Sequence, residues 1–90
     1  MGVRSNVVNP DAIFGDSRLF SDEVRAQRAA AHGVAPDELE AFYASRSLLG
    51  REVKASDVAE SVAFLLSDRS RATTGCVVTV DGGVAAAFPR

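Results

Sequence analysis

Few side chains in this sequence of 90 residues are equipped for catalysis, so their spacing decides what they can do. Tyr43 is the one tyrosine. A phenol acts as an acid or base near neutrality only when a neighbouring cation tunes its pKa. Four positions on stands Ser47 rather than a lysine, so Tyr43 reads as a packing residue. His32 is the lone histidine, beside Gly33 at the end of a helical pattern, where the negative end of the helix dipole accounts for it. Cys76 is the lone cysteine, and within an apolar run it behaves as a small buried hydrophobe. There is no His/Cys cluster with metal-ligand spacing, no Ser-His-Asp arrangement and no glycine-rich phosphate loop. What remains is a loop that opens at Pro10 and runs through Asp11, Ala12 and Ile13.

The elements that must position this loop can be read from local signals. Three valines between Val3 and Val8 predict a strand over 3–8, and Pro10 is expected to stop its regular pairing. A loop carrying the breakers Gly15 and Asp16 follows. A helix is expected to start at Ser21, a good N-cap, with Asp22 and Glu23 at the positive end of its dipole. It should end at Gly33, which tolerates left-handed dihedrals. Pro36-Asp37-Glu38 opens a further helix whose apolar face carries Leu39, Phe42 and Tyr43, ending before Gly50. Ser56 is expected to cap the next helix, over 56–67. Its apolar positions Val58, Ala59, Val62, Ala63, Leu65 and Leu66 predict burial along a broad face. Cys76 to Val80 predicts a closing strand, apolar but for Thr79 and therefore buried on both faces, as in a parallel sheet. Strand, helical crossover and strand together predict an α/β chain, a single βαβ unit with a right-handed crossover.

Composition sets the wider class. The chain is 47% hydrophobic and 24% charged with a formal net charge of -2, which fits a globular chain and excludes the basic stripe of a nucleic-acid binder. A core built from 90 residues is marginal without a partner. One cysteine allows no internal disulfide. No apolar run is long enough to span a bilayer, and no signal peptide opens the chain, so a cytoplasmic setting is expected. Natural domains usually carry a lead-in before their first strand. Met1, directly before Gly2-Val3-Arg4, is therefore read as a start placed at a chosen cut.

Four stretches then carry a resemblance. Asn6 through Ile13, Leu48-Leu49-Gly50-Arg51, Ala55-Ser56-Asp57-Val58-Ala59 and Thr74 through Gly83 together resemble the C-terminal third of a short-chain dehydrogenase/reductase. The resemblance covers nearly the whole chain. It implies the end of a Rossmann-type, doubly wound parallel sheet, with a two-helix lid insertion between its last two strands. Ligands of such sheets bind outside the carboxyl ends of the strands, where the loop after Pro10 would lie. The resemblance implies that Pro10, Asp11 and Ile13 form the nicotinamide side of a cofactor site, Ile13 offering its N–H and C=O to the carboxamide. Asp11 stands where the family usually has glycine, and Gly15 where many members carry threonine. The alternative is that Pro10 merely ends a strand. Phe14, Leu19, Phe20 and Phe42 fall in the region that folds over substrate in the family, though each is equally explained as the apolar face of a helix. Asp57 is a first-turn acid rather than a catalytic group.

The resemblance also implies NAD or NADP as cofactor of the parent enzyme, with none held tightly by this chain. The family's catalytic Tyr-x-x-x-Lys pair is absent, so residues 1–90 alone are expected to be inactive, with no catalytic and no metal-binding residue. The implied partners are the remaining N-terminal part of the dehydrogenase domain and a second copy of the chain. The second copy would be met through residues 56–67 and 76–80 across a two-fold axis. Val8-Asn9-Pro10-Asp11-Ala12 and the tail from Val80 to Arg90 further resemble the dehydrogenase end of bacterial bifunctional rhamnulose-phosphate aldolase/short-chain dehydrogenases. That implies oxidation of lactaldehyde in rhamnose catabolism. The rival reading is a non-catalytic dimerisation module from a truncated gene.

Overall fold

The computed structural model describes residues 2–15 and 21–84. Two short strands, β1 (Val7–Pro10) and β2 (Val77–Val80), pair in parallel, with Val7 opposite Val77 and Pro10 opposite Val80. Between them lie α1 (Asp22–His32), α2 (Leu39–Ser45) and α3 (Ala55–Leu66), with single 3-10 turns at Pro36–Glu38 and Asp68–Ser70. This is the α/β arrangement that the sequence predicts: a parallel pair joined through helices.

The first strand departs from expectation at both ends. It begins at Val7 instead of residue 3, because the stretch before it is committed to side-chain ties. The Arg4 guanidinium donates to Ser70 Oγ at 3.1 Å, to the Thr73 carbonyl at 3.3 Å and to the Ser67 carbonyl at 3.2 Å. Asn6 donates to the Thr73 carbonyl at 3.2 Å and accepts from the Cys76 N–H at 3.0 Å. At the other end, pairing continues past Pro10 instead of stopping there. The Val7 N–H donates to the Cys76 carbonyl and the Asp11 N–H to the Val80 carbonyl at 3.0 Å. Strand alternation therefore turns the nitrogen of Pro10 to the opposite edge, where its missing donor costs this ladder nothing.

Helix α1 follows its local signals. Ser21 Oγ accepts from the Val24 N–H, and Gly33 closes the helix at φ 71° while the Val34 N–H bonds back to the Ala29 carbonyl. Pro36 opens the 3-10 turn leading into α2, where Glu38 accepts from the Ala35 N–H at 3.2 Å. The N-cap of helix α3 lies two residues earlier than expected. Lys54 rather than Ser56 occupies the N-cap, and the Asp57 carboxylate reaches back to the Lys54 N–H at 2.9 Å. The helix ends at Leu66, and β2 begins at Val77 instead of Cys76.

Packing is thinner than the hydrophobic pattern suggests. Among the described residues, Ala29, Leu39, Val53 and Leu65 are the buried apolar ones, with Leu39 fully enclosed. Helix α3 lies on one face of the sheet, where Val8 shares a cleft with Val62, Leu65 and Leu66. The other face is open: Val7 is 56% and Val77 62% exposed, so the apolar strand is not covered on both sides. Nor is the broad face of α3 covered. Leu65 is buried, but Leu66 is 79% and Phe64 46% exposed, because two four-residue strands are too narrow to cover both flanks of a helix. The radius of gyration is 15.4 Å, against about 12 Å for a compact domain of this length. Among the described residues, no helix is long and apolar enough to cross a membrane.

Beyond β2 the chain folds back. The Leu48 and Leu49 N–H groups donate to the carbonyls of Gly83 and Gly82 at 2.8 and 3.0 Å, and Ser47 forms an antiparallel bridge with Val84. Both glycines have positive φ, and a Cβ on Gly82 would lie 3.0 Å from the Ser47 side chain. Only glycine fits that approach without displacement.

Candidate functional site

The loop after β1 emerges at the carboxyl end of the strand, fixed at its start by the bond from the Asp11 N–H to Val80. Pro10 is exposed, whereas Asp11, Ala12, Ile13 and Phe14 are half-buried. Among the described residues, neither the N–H nor the C=O of Ile13 has a hydrogen-bond partner, although the residue is partly withdrawn from water. Buried main-chain groups are normally paired. A side-by-side donor and acceptor left open here matches the edge of a carboxamide.

Helices α1 and α2 hold the loop on either side of Ile13. On one side, Arg46 Nη2, just past the end of α2, stands 3.5 Å from Asp11 Oδ1. The same guanidinium lies 4.3 Å from the centroid of the Tyr43 ring and 5.9 Å from that of Phe42. On the other side, the Phe14 ring meets Tyr43 edge to face at 5.2 Å, and Arg25 of α1 sits 5.7 Å from the Phe14 centroid. Arg25 is in turn paired with Glu40 of α2. His32 completes the cluster, its ring 4.6 Å from that of Phe42 and its Nε2 3.4 Å from the Tyr43 hydroxyl. A planar guanidinium over an aromatic face is an attractive electrostatic arrangement that also keeps the ring in place.

The expected residues are thus distributed as follows. Asp11 and Ile13 share the loop, and Phe14 and Phe42 are both drawn into the aromatic cluster around Tyr43. Leu19 and Phe20 lie outside the described residues. Tyr43 packs, as its spacing implies, while His32 does more than end a helix, since it stacks within the cluster. Cys76 is half-buried rather than fully enclosed. Among the described residues, no group of three or more His, Cys, Asp or Glu side chains could hold a metal ion. Sequence reasoning missed Arg46, Arg25 and Arg4. Arg4 and Arg46 lie outside the regular elements and Arg25 within α1, and nothing in the periodicity marks a long-range partner for any of them.

Residues 1–85 match the family profile described as Enoyl-(Acyl carrier protein) reductase. A crystal structure of a short chain dehydrogenase family protein from Francisella tularensis superimposes with a TM-score of 0.72 and 32% sequence identity, over 92% of this chain and 33% of that one. The chain belongs to the short-chain dehydrogenase/reductase family, and its parallel pair with covering helix is a part of that family's Rossmann-type fold. It is 46% identical over 99% of its length to the uncharacterized oxidoreductase YuxG of Bacillus subtilis, of which it covers 13%. It is 39% identical over 91% of its length to the 4-formylbenzenesulfonate dehydrogenase TsaC1/TsaC2 of Comamonas testosteroni, of which it covers 29%. The chain therefore spans a third or less of each of these relatives.

Proposed function

We propose that this chain is the C-terminal part of an NAD(P)-dependent short-chain oxidoreductase, supplying the nicotinamide side of the cofactor site, the lid helices and a subunit interface. The observation that carries the reading is Ile13: a half-buried residue whose N–H and C=O have no partner among the described residues, in the loop at the carboxyl end of a parallel strand. Pro10 and Asp11 set the entry to that loop, and Ile13 would hold and orient the carboxamide. When bound, the nicotinamide cofactor supplies hydride acceptance. Phe14 and Phe42, with Leu19 and Phe20, would form the face that excludes water from a bound substrate.

The parent's substrate is proposed to be lactaldehyde, as the oxidative step that follows an aldolase in rhamnose breakdown. Two features support this. One is the sequence of the tail and of the segment from Val8 to Ala12. The other is the 13% share of YuxG that the chain covers, against 29% of TsaC1/TsaC2, which makes YuxG more than twice as long and leaves room for a second catalytic domain. A second reading, a dimerisation module without catalysis, is favoured by the apolar surface that α3 and the sheet leave open at Leu66, Phe64, Val7 and Val77. Both readings place a second copy of the chain on residues 56–67 and 76–80.

Purified residues 1–90 are expected to show no NAD(P)-dependent oxidation of lactaldehyde and no tight dinucleotide binding. Neither a phosphate-binding helix N-terminus after a glycine-rich turn nor a Tyr/Lys pair is present in the sequence. The same segment within its complete dehydrogenase should support oxidation that follows NADH or NADPH formation. Activity of the 90-residue chain by itself, or none in the complete enzyme with any small hydroxyaldehyde, would overturn the reading.

A further inference from the structure

The lid helices do more than cover a substrate. We infer that Arg46 and Asp11 form a latch that sets the position of the Ile13 amide, so that α2 and the cofactor loop move as one body. This rests on the cofactor-loop reading above and adds positioning residues to it. Three observations converge. Asp11 carries two anchors at once: its N–H is bonded to Val80 of the sheet, and its carboxylate faces Arg46 at 3.5 Å. Arg46 is itself oriented by the Tyr43 ring 4.3 Å from its guanidinium carbon, so the cation is held in place rather than free to swing. Tyr43 then meets Phe14, the residue after Ile13, at 5.2 Å. The path from Asp11 through Arg46 and Tyr43 to Phe14 returns through the main chain of Ala12 and Ile13, so that segment is one side of a closed ring. A carboxylate is needed for this ring; glycine at position 11 could supply the turn but no anchor for Arg46.

The pair is part-exposed, with side chains at 36% and 20% accessibility. Ion pairs of that kind contribute little to global stability. What it should govern is local: how tightly the two residues between Asp11 and Phe14 are held. Loosening them would weaken cofactor binding more than the chemical step, since the carboxamide grip is made in the ground state as well as in the transition state.

The test uses Arg46→Ala, Asp11→Asn and the double variant, each in residues 1–90 and in the complete enzyme. In the 90-residue chain, 15N relaxation should show the order parameters of the Ala12 and Ile13 amides falling in each single variant. The Val8 and Val78 amides should stay at wild-type values. The double variant should lose no more than Arg46→Ala alone, since that change already removes the partner of residue 11. In the complete enzyme, KM for the dinucleotide should rise about threefold to tenfold with a smaller change in kcat. Three results would each overturn the latch: unchanged Ile13 order parameters in both single variants, an equal loss throughout the sheet, or fully additive effects in the double variant. A complete enzyme with no dinucleotide-dependent activity would refute the oxidoreductase reading instead, while the relaxation measurement would still decide whether the latch exists.

Discussion

In the half of the molecule built from β1, α3 and β2, the ties are mostly main-chain bonds and an arginine that reads carbonyls. Val7 and Asp11 donate into β2, and Arg4 binds the carbonyls of Ser67 and Thr73 with the Ser70 hydroxyl. In the α1–α2 insertion, side chains do the holding. Leu39 is fully enclosed, Arg25 pairs with Glu40, and Phe14, His32, Phe42 and Tyr43 stack with two guanidinium groups. The sheet half leaves its apolar surface open, whereas the insertion closes on itself. The difference teaches where apolar surface is left for another surface to cover: on the half held by main-chain bonds, where Val7, Val77 and Leu66 are still wet.

The largest effect should come from the insertion's enclosed residue. Leu39→Ala is expected to cost about 2–5 kcal/mol in the packing it supports. If the halves are separable, hydrogen exchange should show α1 and α2 amides losing protection while those of Val7 and Asp11 keep theirs. Simultaneous loss in both would mean one cooperative unit and would dissolve the contrast. Next come the glycines at the fold-back. Gly82→Ala forces both a positive φ and a 3.0 Å approach to Ser47 and should cost about 1–3 kcal/mol. Gly83→Ala and Gly75→Ala should cost less, since the first meets Leu48 at 3.3 Å and the second only its own φ of 69°. Gly15→Ala, with neither constraint, should leave the melting temperature nearly unchanged. Equal losses at all four positions would remove the fold-back from the stability argument.

The smallest effect on folding should accompany the largest effect on association. Leu66 is 79% exposed, so Leu66→Glu should change monomer stability by less than about 0.5 kcal/mol. Sedimentation at micromolar concentration should show the wild type as a dimer or larger and the variant shifted towards monomer. A wild-type chain that is folded and strictly monomeric would show that the open apolar surface needs no second copy.

These contrasts also explain what could be read in advance. Caps are local, so Ser21, Gly33 and Pro36 announced their helix ends within a few residues. The parallel pairing was legible because an apolar run bracketed by turns, after a long helical stretch, admits few other arrangements. Burial was not legible in the same way. The pattern of Val62, Leu65 and Leu66 reports which side of α3 is apolar, and nothing in it reports how wide the surface opposite will be. The strand start was misplaced because Val3 and Arg4 look extended, while Arg4 is occupied with residues more than sixty positions away. In the loop, Asp11 and Ile13 were visible through the resemblance. Arg46 was not, since an arginine at a helix end normally needs no further explanation than the dipole.

One bond described above bears on how the molecule is assembled in time. The Cys76 N–H meets the Asn6 side chain across 70 positions of the chain, and the parallel ladder next to it has the same separation. Closing so long a loop costs entropy before any strand bond repays it, and chains dominated by such contacts fold slowly. The capped α1 and the turn at Pro36 need only near neighbours. Refolding should therefore form the insertion early and the sheet last, leaving both valine strands unpaired in the interval and exposed to any other chain that meets them first.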